Sequence, residues 1–121
     1  MSAYRFEWNY DGIKDKESFK KFVEDMKTAT EPCCNYEQAA RLFFDNGKRR
    51  FIMIELQVPT SAMNDDGENH QPWLDAYEVS SMDDYDASRE IDSMRYEGKI
   101  KFENAEYMMI KFATEVCKSM E

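Results

Sequence analysis

The sequence predicts a single α+β domain over residues 1–121, an antiparallel sheet of four to five strands with an Asn-Gly hairpin and helices packed on one face. Three observations carry this expectation. Short apolar runs with a two-residue period alternate with longer runs in which apolar residues recur every three or four positions. The chain has about the commonest length for one domain, and a core of that size buries roughly two-thirds of the surface of the unfolded chain. An Asn46-Gly47 pair separates two apolar runs, as at the tip of a hairpin. Leu, Ile, Val and Phe total only 21 of 121 residues, a level that with high net charge often means disorder. Nine Met, seven Tyr and two Trp supply the missing apolar bulk.

The first strand is predicted over 4–10, where Tyr4-Arg5-Phe6-Glu7-Trp8-Asn9-Tyr10 alternates aromatic and polar residues up to Asp11-Gly12. Asp15 is a good N-cap for a helix carrying Phe19, Phe22, Val23, Met26 and Ala29 on one face, which should stop before Pro32. A two-residue type I′ turn at Asn46-Gly47 would place Phe44 opposite Arg49, Phe43 opposite Arg50 and Leu42 opposite Phe51. The strand that follows carries Ile52, Ile54, Leu56 and Val58 on one face, ends at Pro59, and should be central in its sheet.

Residues 60–72 are polar, aperiodic and rich in turn formers, the composition of a mobile acidic loop. Trp73, Tyr77 and Val79 fall at strand spacing. Ser81 followed by Asp84 resembles a capping box, so a helix is expected over 82–96, with Asp83, Asp84 and Asp86 at the positive end of its dipole. Lys99-Ile100-Lys101-Phe102 reads as a short strand, and Asn104 caps a last helix with Ala105, Met108, Met109, Phe112, Ala113, Val116, Cys117 and Met120 in its stripe. Leaving out the short element at 73–79, the order is a ferredoxin-like βαββαβ frame with an added C-terminal helix.

The formal charge of −9 is confined to one window. Residues 63–97 hold eleven acids (Asp65, Asp66, Glu68, Asp75, Glu78, Asp83, Asp84, Asp86, Glu90, Asp92, Glu97) and two bases (Arg89, Arg95), whereas 1–62 and 98–121 are each balanced. A field of that sign attracts basic surfaces and cations and repels nucleic acid. With no basic-then-apolar start and no apolar stretch long enough to span a bilayer, the expectation is a cytoplasmic protein, of a cell or of an infecting phage. Three cysteines, Cys33 and Cys34 adjacent and Cys117 remote, suit a reducing compartment and small packed thiols.

Metal chemistry finds weak support. Asn64-Asp65-Asp66-Gly67-Glu68 resembles the middle of a calcium loop, but Ala62 and Trp73 fall where the first and last ligands are needed. Asp84-x-Asp86-x-Ser88-x-Glu90 lacks the turning glycine, the single histidine, His70, lies at no zinc-ligand spacing from another candidate ligand, and Cys33-Cys34 by themselves do not supply a tetrahedral set. Glu97-Gly98-Lys99 with Asp92 or Asp75 is similar to the acid-x-lysine element of metal-dependent nucleases, although the surrounding charge repels phosphates. There is no glycine-rich phosphate loop and no nucleophile elbow. Lys48-Arg49-Arg50 with Arg41, Phe43, Phe44 and Phe51 has the look of a nucleic-acid surface, yet three bases at a hairpin tip also keep a sheet edge soluble.

Binding through the acidic window is the expectation that remains, with no catalysis, no cofactor, no direct nucleic-acid contact and no membrane. Charge added for solubility is spread over all faces, and here it is not. Aromatic and Met residues (Trp73, Tyr77, Met82, Tyr85, Met94, Tyr96) interleave with the acids, a composition found at interfaces. The partner expected is a basic protein surface, including that of a nucleic-acid-binding enzyme antagonised by DNA-like charge mimicry. The residues expected to contact it are Asp65, Asp66, Glu68, Trp73, Tyr77, Asp83, Asp84, Tyr85, Asp86 and Glu90. A small metal-dependent hydrolase and a self-assembling component are the alternatives, and a solvated acidic face with no partner is the plainest account.

Overall fold

In a computed structural model, which describes residues 3–29, 34–63, 70–82, 89–97 and 99–120, the chain builds one five-stranded antiparallel sheet with two helices on one face. In chain order the elements are β1 (Ala3–Trp8), α1 (Lys16–Thr28), β2 (Tyr36–Asp45), β3 (Phe51–Pro59), β4 (Trp73–Glu78), β5 (Arg89–Glu97) and α2 (Ala105–Ser119). Each strand pairs with its neighbour in sequence, in the order β1-β2-β3-β4-β5. The sheet is therefore a meander, and the ferredoxin-like order, which interleaves strands from the two halves of the chain, is corrected. No helix among the described residues is long and apolar enough to cross a membrane.

β3 is the middle strand, as its sequence implies, and Ile52, Ile54, Leu56 and Val58 are fully buried on its helix-side face. Leu42, Phe44, Leu74 and Ala76 flank them on β2 and β4, and Phe19 of α1 and Met109, Phe112, Ala113 and Val116 of α2 close the core from above. The capping box at the start of α1 is formed as Asp15 predicts. The Ser18 N–H donates to the Asp15 carboxylate at 2.8 Å, holding that carboxyl below its usual range, and the Ser18 hydroxyl accepts from the Asp15 N–H at 3.0 Å. Trp8 stacks on Phe102 at 5.2 Å and meets Phe19 at 5.4 Å, which fastens β1 to α1 and to the segment before α2.

Four local expectations are corrected. The β2–β3 connection spans residues 46–50 instead of two residues, and the register places Phe44 opposite Ile52, Phe43 opposite Met53 and Leu42 opposite Ile54. A two-residue turn would have paired Leu42 with Phe51, three positions away, and an odd slip turns one strand's apolar set to the other face. Burial of Ile52, Ile54 and Leu56 beside Leu42 and Phe44 decides against it. Gly47 and Arg49 both take positive φ (79° and 61°), and the Asp45 and Asn46 side chains accept from the Gly47 and Lys48 N–H groups. Arg50 turns inward and donates to the Met120 carbonyl at 3.0 Å, satisfying the C-terminus of α2.

The helix expected over 82–96 does not run to residue 96, because 89–97 is strand β5. Tyr96 pairs with Leu74 and Arg89 with Glu78, and a register shift between Asp75 and Tyr77 lets both Ile91 and Tyr96 pack on the main core although they are five residues apart. Paired with β4 they cover the core's open side. Residues 99–102 are not a strand either. The Lys101 N–H donates to the Asn104 side chain at 2.7 Å and the Asn104 amide donates to the Lys99 carbonyl at 3.2 Å, so these backbone groups serve a turn. Asn104 stands at the N-cap of α2, but its side chain points back to that turn instead of capping the helix.

Leu56 is fully buried on the middle strand, between β2 and β4, so Leu56→Ala should cost about 2–5 kcal/mol in denaturant unfolding. A loss well under that range would contradict the placement of β3.

Candidate protein-binding edge

Meander order gives the charge distribution a position. Residues 63–97 contain β4 and β5, which form one lateral end of the sheet, while β1 and β2, from the balanced part of the chain, form the other; the described ends of the 60–72 segment lie beside α1, where the Ser61 N–H donates to the Met26 carbonyl at 3.0 Å and Gln71 and Pro72 line the groove along the helix. The segment 60–72 enters β4 at Trp73 and the segment 79–88 leaves it after Glu78, so the two meet β4 at opposite ends, roughly 20 Å apart for a six-residue strand. Asp65, Asp66, Glu68, Asp83, Asp84, Tyr85 and Asp86 lie outside the described residues, as does the middle of the loop expected to be mobile. Of the expected contacts, Trp73, Tyr77 and Glu90 are described.

These three have different roles. Trp73 is only 2% exposed. Its indole N–H donates to the Asp75 carboxylate at 3.0 Å and its ring meets Tyr36 edge-on at 5.4 Å, so it is a structural residue beneath the edge, not an exposed anchor. Tyr77 is half-buried against Phe43, Met53 and Val79, the small apolar cluster on the face away from the helices. Burial, helped by the negative charges of Glu55, Asp75 and Glu90, pushes its phenol well above the usual value, so its O–H stays protonated. Glu90 stands opposite Tyr77 and is exposed. One of the window's two bases is already engaged, since Arg89 pairs with Glu78 at 2.8 Å.

A polar row also runs across the sheet from β1 to β4. Glu7, Arg41, Glu55 and Asp75 are consecutive Cα partners across β1 to β4. Arg41 reaches Glu55 at 3.5 Å and donates to the Gln38 side-chain oxygen at 2.6 Å, while Gln57 donates to Glu55 at 3.2 Å. A bulge at Ala39 puts Gln38 and Arg41 on the same face, and Asn9 closes it by donating to the carbonyls of Ala39 at 2.9 Å and Gln38 at 3.1 Å. Glu55 and Asp75, both poorly exposed, face each other across neighbouring strands. A signal for this row was present: Glu55 and Gln57 continue the Phe51, Met53 face of an otherwise apolar strand, and buried polar positions need partners.

Burial raises the Glu55 carboxyl above its ordinary 4.5, against the opposing pull of Arg41, Tyr77 and Gln57. The native state therefore holds more protons than the unfolded chain just above pH 4.5, and this group's contribution is complete below that pH and lost as pH rises through the folded value. Asp15, lowered by its cap, acts in the opposite sense and loses its contribution as pH falls below 3.8.

Elsewhere, a groove of about 580 Å³ separates α1 from residues 100–103, with Phe19, Val23 and Ile100 in its floor and both lysines and glutamates at its rim. Among the described residues no three His, Cys, Asp or Glu side chains converge as metal ligands. Comparison with known proteins found no match among family models, curated proteins or solved structures.

A carbon-detected carboxyl titration should place the Glu55 midpoint above 4.5, and Glu55→Gln should remove the matching part of the stability-against-pH slope. A midpoint at or below that value would contradict the burial of the row.

Proposed function

We propose that the protein is a non-catalytic binding protein that engages a basic surface of another protein through the acidic edge formed by residues 63–97. The observation that supports this is topological: the sheet's spatial order is its sequence order, so the two strands drawn from the acidic window stand together at one end. Carboxylates gathered at one end steer a basic partner to that end and make the encounter sensitive to salt. The other end, balanced in charge, neither competes for the partner nor repels it.

The row beneath fits the same reading. Arg41, Gln57 and the Tyr77 phenol hold Glu55 from below, and Asp75 is tied to the Trp73 indole, so the acids nearest the core are committed to the fold. Glu90, exposed beside them, is left for a partner. A basic surface shaped for nucleic acid is the partner class that suits the acidic window, because a file of carboxylates offers it the charge of a phosphate track. In this reading Asp65, Asp66, Glu68, Asp83, Asp84, Asp86 and Glu90 supply the field, while Tyr77 and Tyr85 supply aromatic contact.

Capture from cell extract at low and at moderate salt identifies the partner and tests the electrostatic origin together. Replacing Asp83, Asp84 and Asp86 by Lys should weaken the captured complex tenfold or more, about 1.4 kcal/mol. Unchanged affinity in that triple variant, with the fold intact, would sink the proposal.

A further inference from the structure

The sheet has two outer strands, and they are not equivalent. β5 carries a register shift against β4 and lies at the acidic end. A bulged edge strand resists addition of another strand, and two such ends repel. β1 pairs with β2 in an unbroken register over all six residues and lies at the balanced end. Its outer side is the regular strand edge left in the described structure.

The order of side chains on β1 is self-complementary. Toward the helix side it presents Tyr4, Phe6 and Trp8; toward the other face Arg5 and Glu7. Tyr4 is 46% exposed, and Phe6 and Trp8 are only half-buried because nothing described lies beyond them in the sheet. The Asn9 N–H donates to the Ala39 carbonyl, and ladder bonds alternate along an antiparallel strand, so odd-numbered residues turn their backbone groups to β2 and Tyr4, Phe6 and Trp8 turn theirs outward.

We infer that β1 pairs antiparallel with β1 of a second copy about a two-fold axis at Phe6. This register sets Phe6 against Phe6 on the axis, and Tyr4 against Trp8 and Arg5 against Glu7 twice each, once on either side of it. The aromatic pairs fall at the positions whose outward N–H and C=O groups exchange hydrogen bonds. The Arg5–Glu7 pairs fall at the intervening positions, where opposite side chains approach more closely. Moving the axis by one residue in either direction puts Arg5 against Arg5 or Glu7 against Glu7 on a common face, and moving it by half a residue sets aromatic against charged positions. Arg5 already lies 4.7 Å over the Phe43 ring, and its five donors allow it to serve Glu7 of the second copy from there. The resulting ten-stranded sheet carries its two acidic ends outermost, roughly 43 Å apart at about 4.8 Å per strand. A bivalent molecule of that form would bind a repeated basic target more tightly than either end alone.

The test is sedimentation equilibrium of the full chain from about micromolar to about millimolar, with hydrogen exchange of the β1 amides read alongside. The pairing predicts a reversible monomer–dimer equilibrium in which the Tyr4, Phe6 and Trp8 amides become protected as concentration rises. Glu7→Arg, an exposed change that sets like charges opposite each other at both pairs, should raise the dimer dissociation constant about tenfold. The swap Arg5→Glu with Glu7→Arg should restore it to within a few-fold of the original. A single-chain mass throughout, a dimer indifferent to Glu7→Arg, or a swap no better than the single change would each overturn the inference. Because none of these readouts involves residues 63–97, the result stands apart from that of the acidic edge.

Discussion

β3 is buried on both faces and bonded on both edges, and what its two faces require fixes the rest of the molecule. Its apolar face, Ile52, Ile54, Leu56 and Val58, must be roofed, which brings α1 and α2 to the same side. Its second face mixes Phe51 and Met53 with Glu55 and Gln57. Buried polar groups cost stability unless partnered, so β2 must present Arg41 and β4 must present Tyr77 at those positions. The apolar half of that face is met by Phe43, Tyr77 and Val79. A slip of either neighbouring strand would break both faces at once, which is why the register prevails over the local preference of Asn46-Gly47 for a tight turn.

From that register follows the meander, and from the meander the electrostatic form of the molecule. When strands pair in sequence order, residues distant in sequence stay distant across the sheet. The two strands of the acidic window, β4 and β5, lie at one end with Asp75, Glu78 and Glu90, and the neutral first half supplies the other end with β1 at its edge. A split βαβ arrangement would have set acidic strands between neutral ones. The same topology thus separates the end proposed to meet a basic partner from the end proposed to meet a second copy of the chain.

Much of the fold was legible where one face is apolar and the other polar. β1 announced itself by strict alternation, α1 by Asp15 and its stripe, β3 by four apolar residues on one face, and α2 by the run from Ala105 to Cys117. β5 was not, because the helical spacing that starts at Ser81 carries on across 89–96 and because an edge strand with a bulge keeps no clean two-residue period. Asn104 misled through its type: it is a good cap by composition, yet its side chain is taken by Lys99 and Lys101. For the site, the location of the charge was legible from counting alone. That Trp73 is committed to the interior was not, since its Asp75 partner stands two residues away on the same strand and the roof over both comes from the tertiary fold. The polar row needed knowledge of strand pairing, because Arg41, Glu55 and Asp75 become neighbours only across the ladder.

The claim that the acidic field is confined to one end of the sheet can be measured without any partner. Paired relaxation experiments with a cationic and an anionic soluble nitroxide report the local potential at each amide proton. The account predicts that the cationic probe is enriched over the anionic one along β4, β5 and the chain flanking them, with near-equal effects over β1, α1 and the 46–50 connection. A uniform enrichment over the whole surface would contradict it.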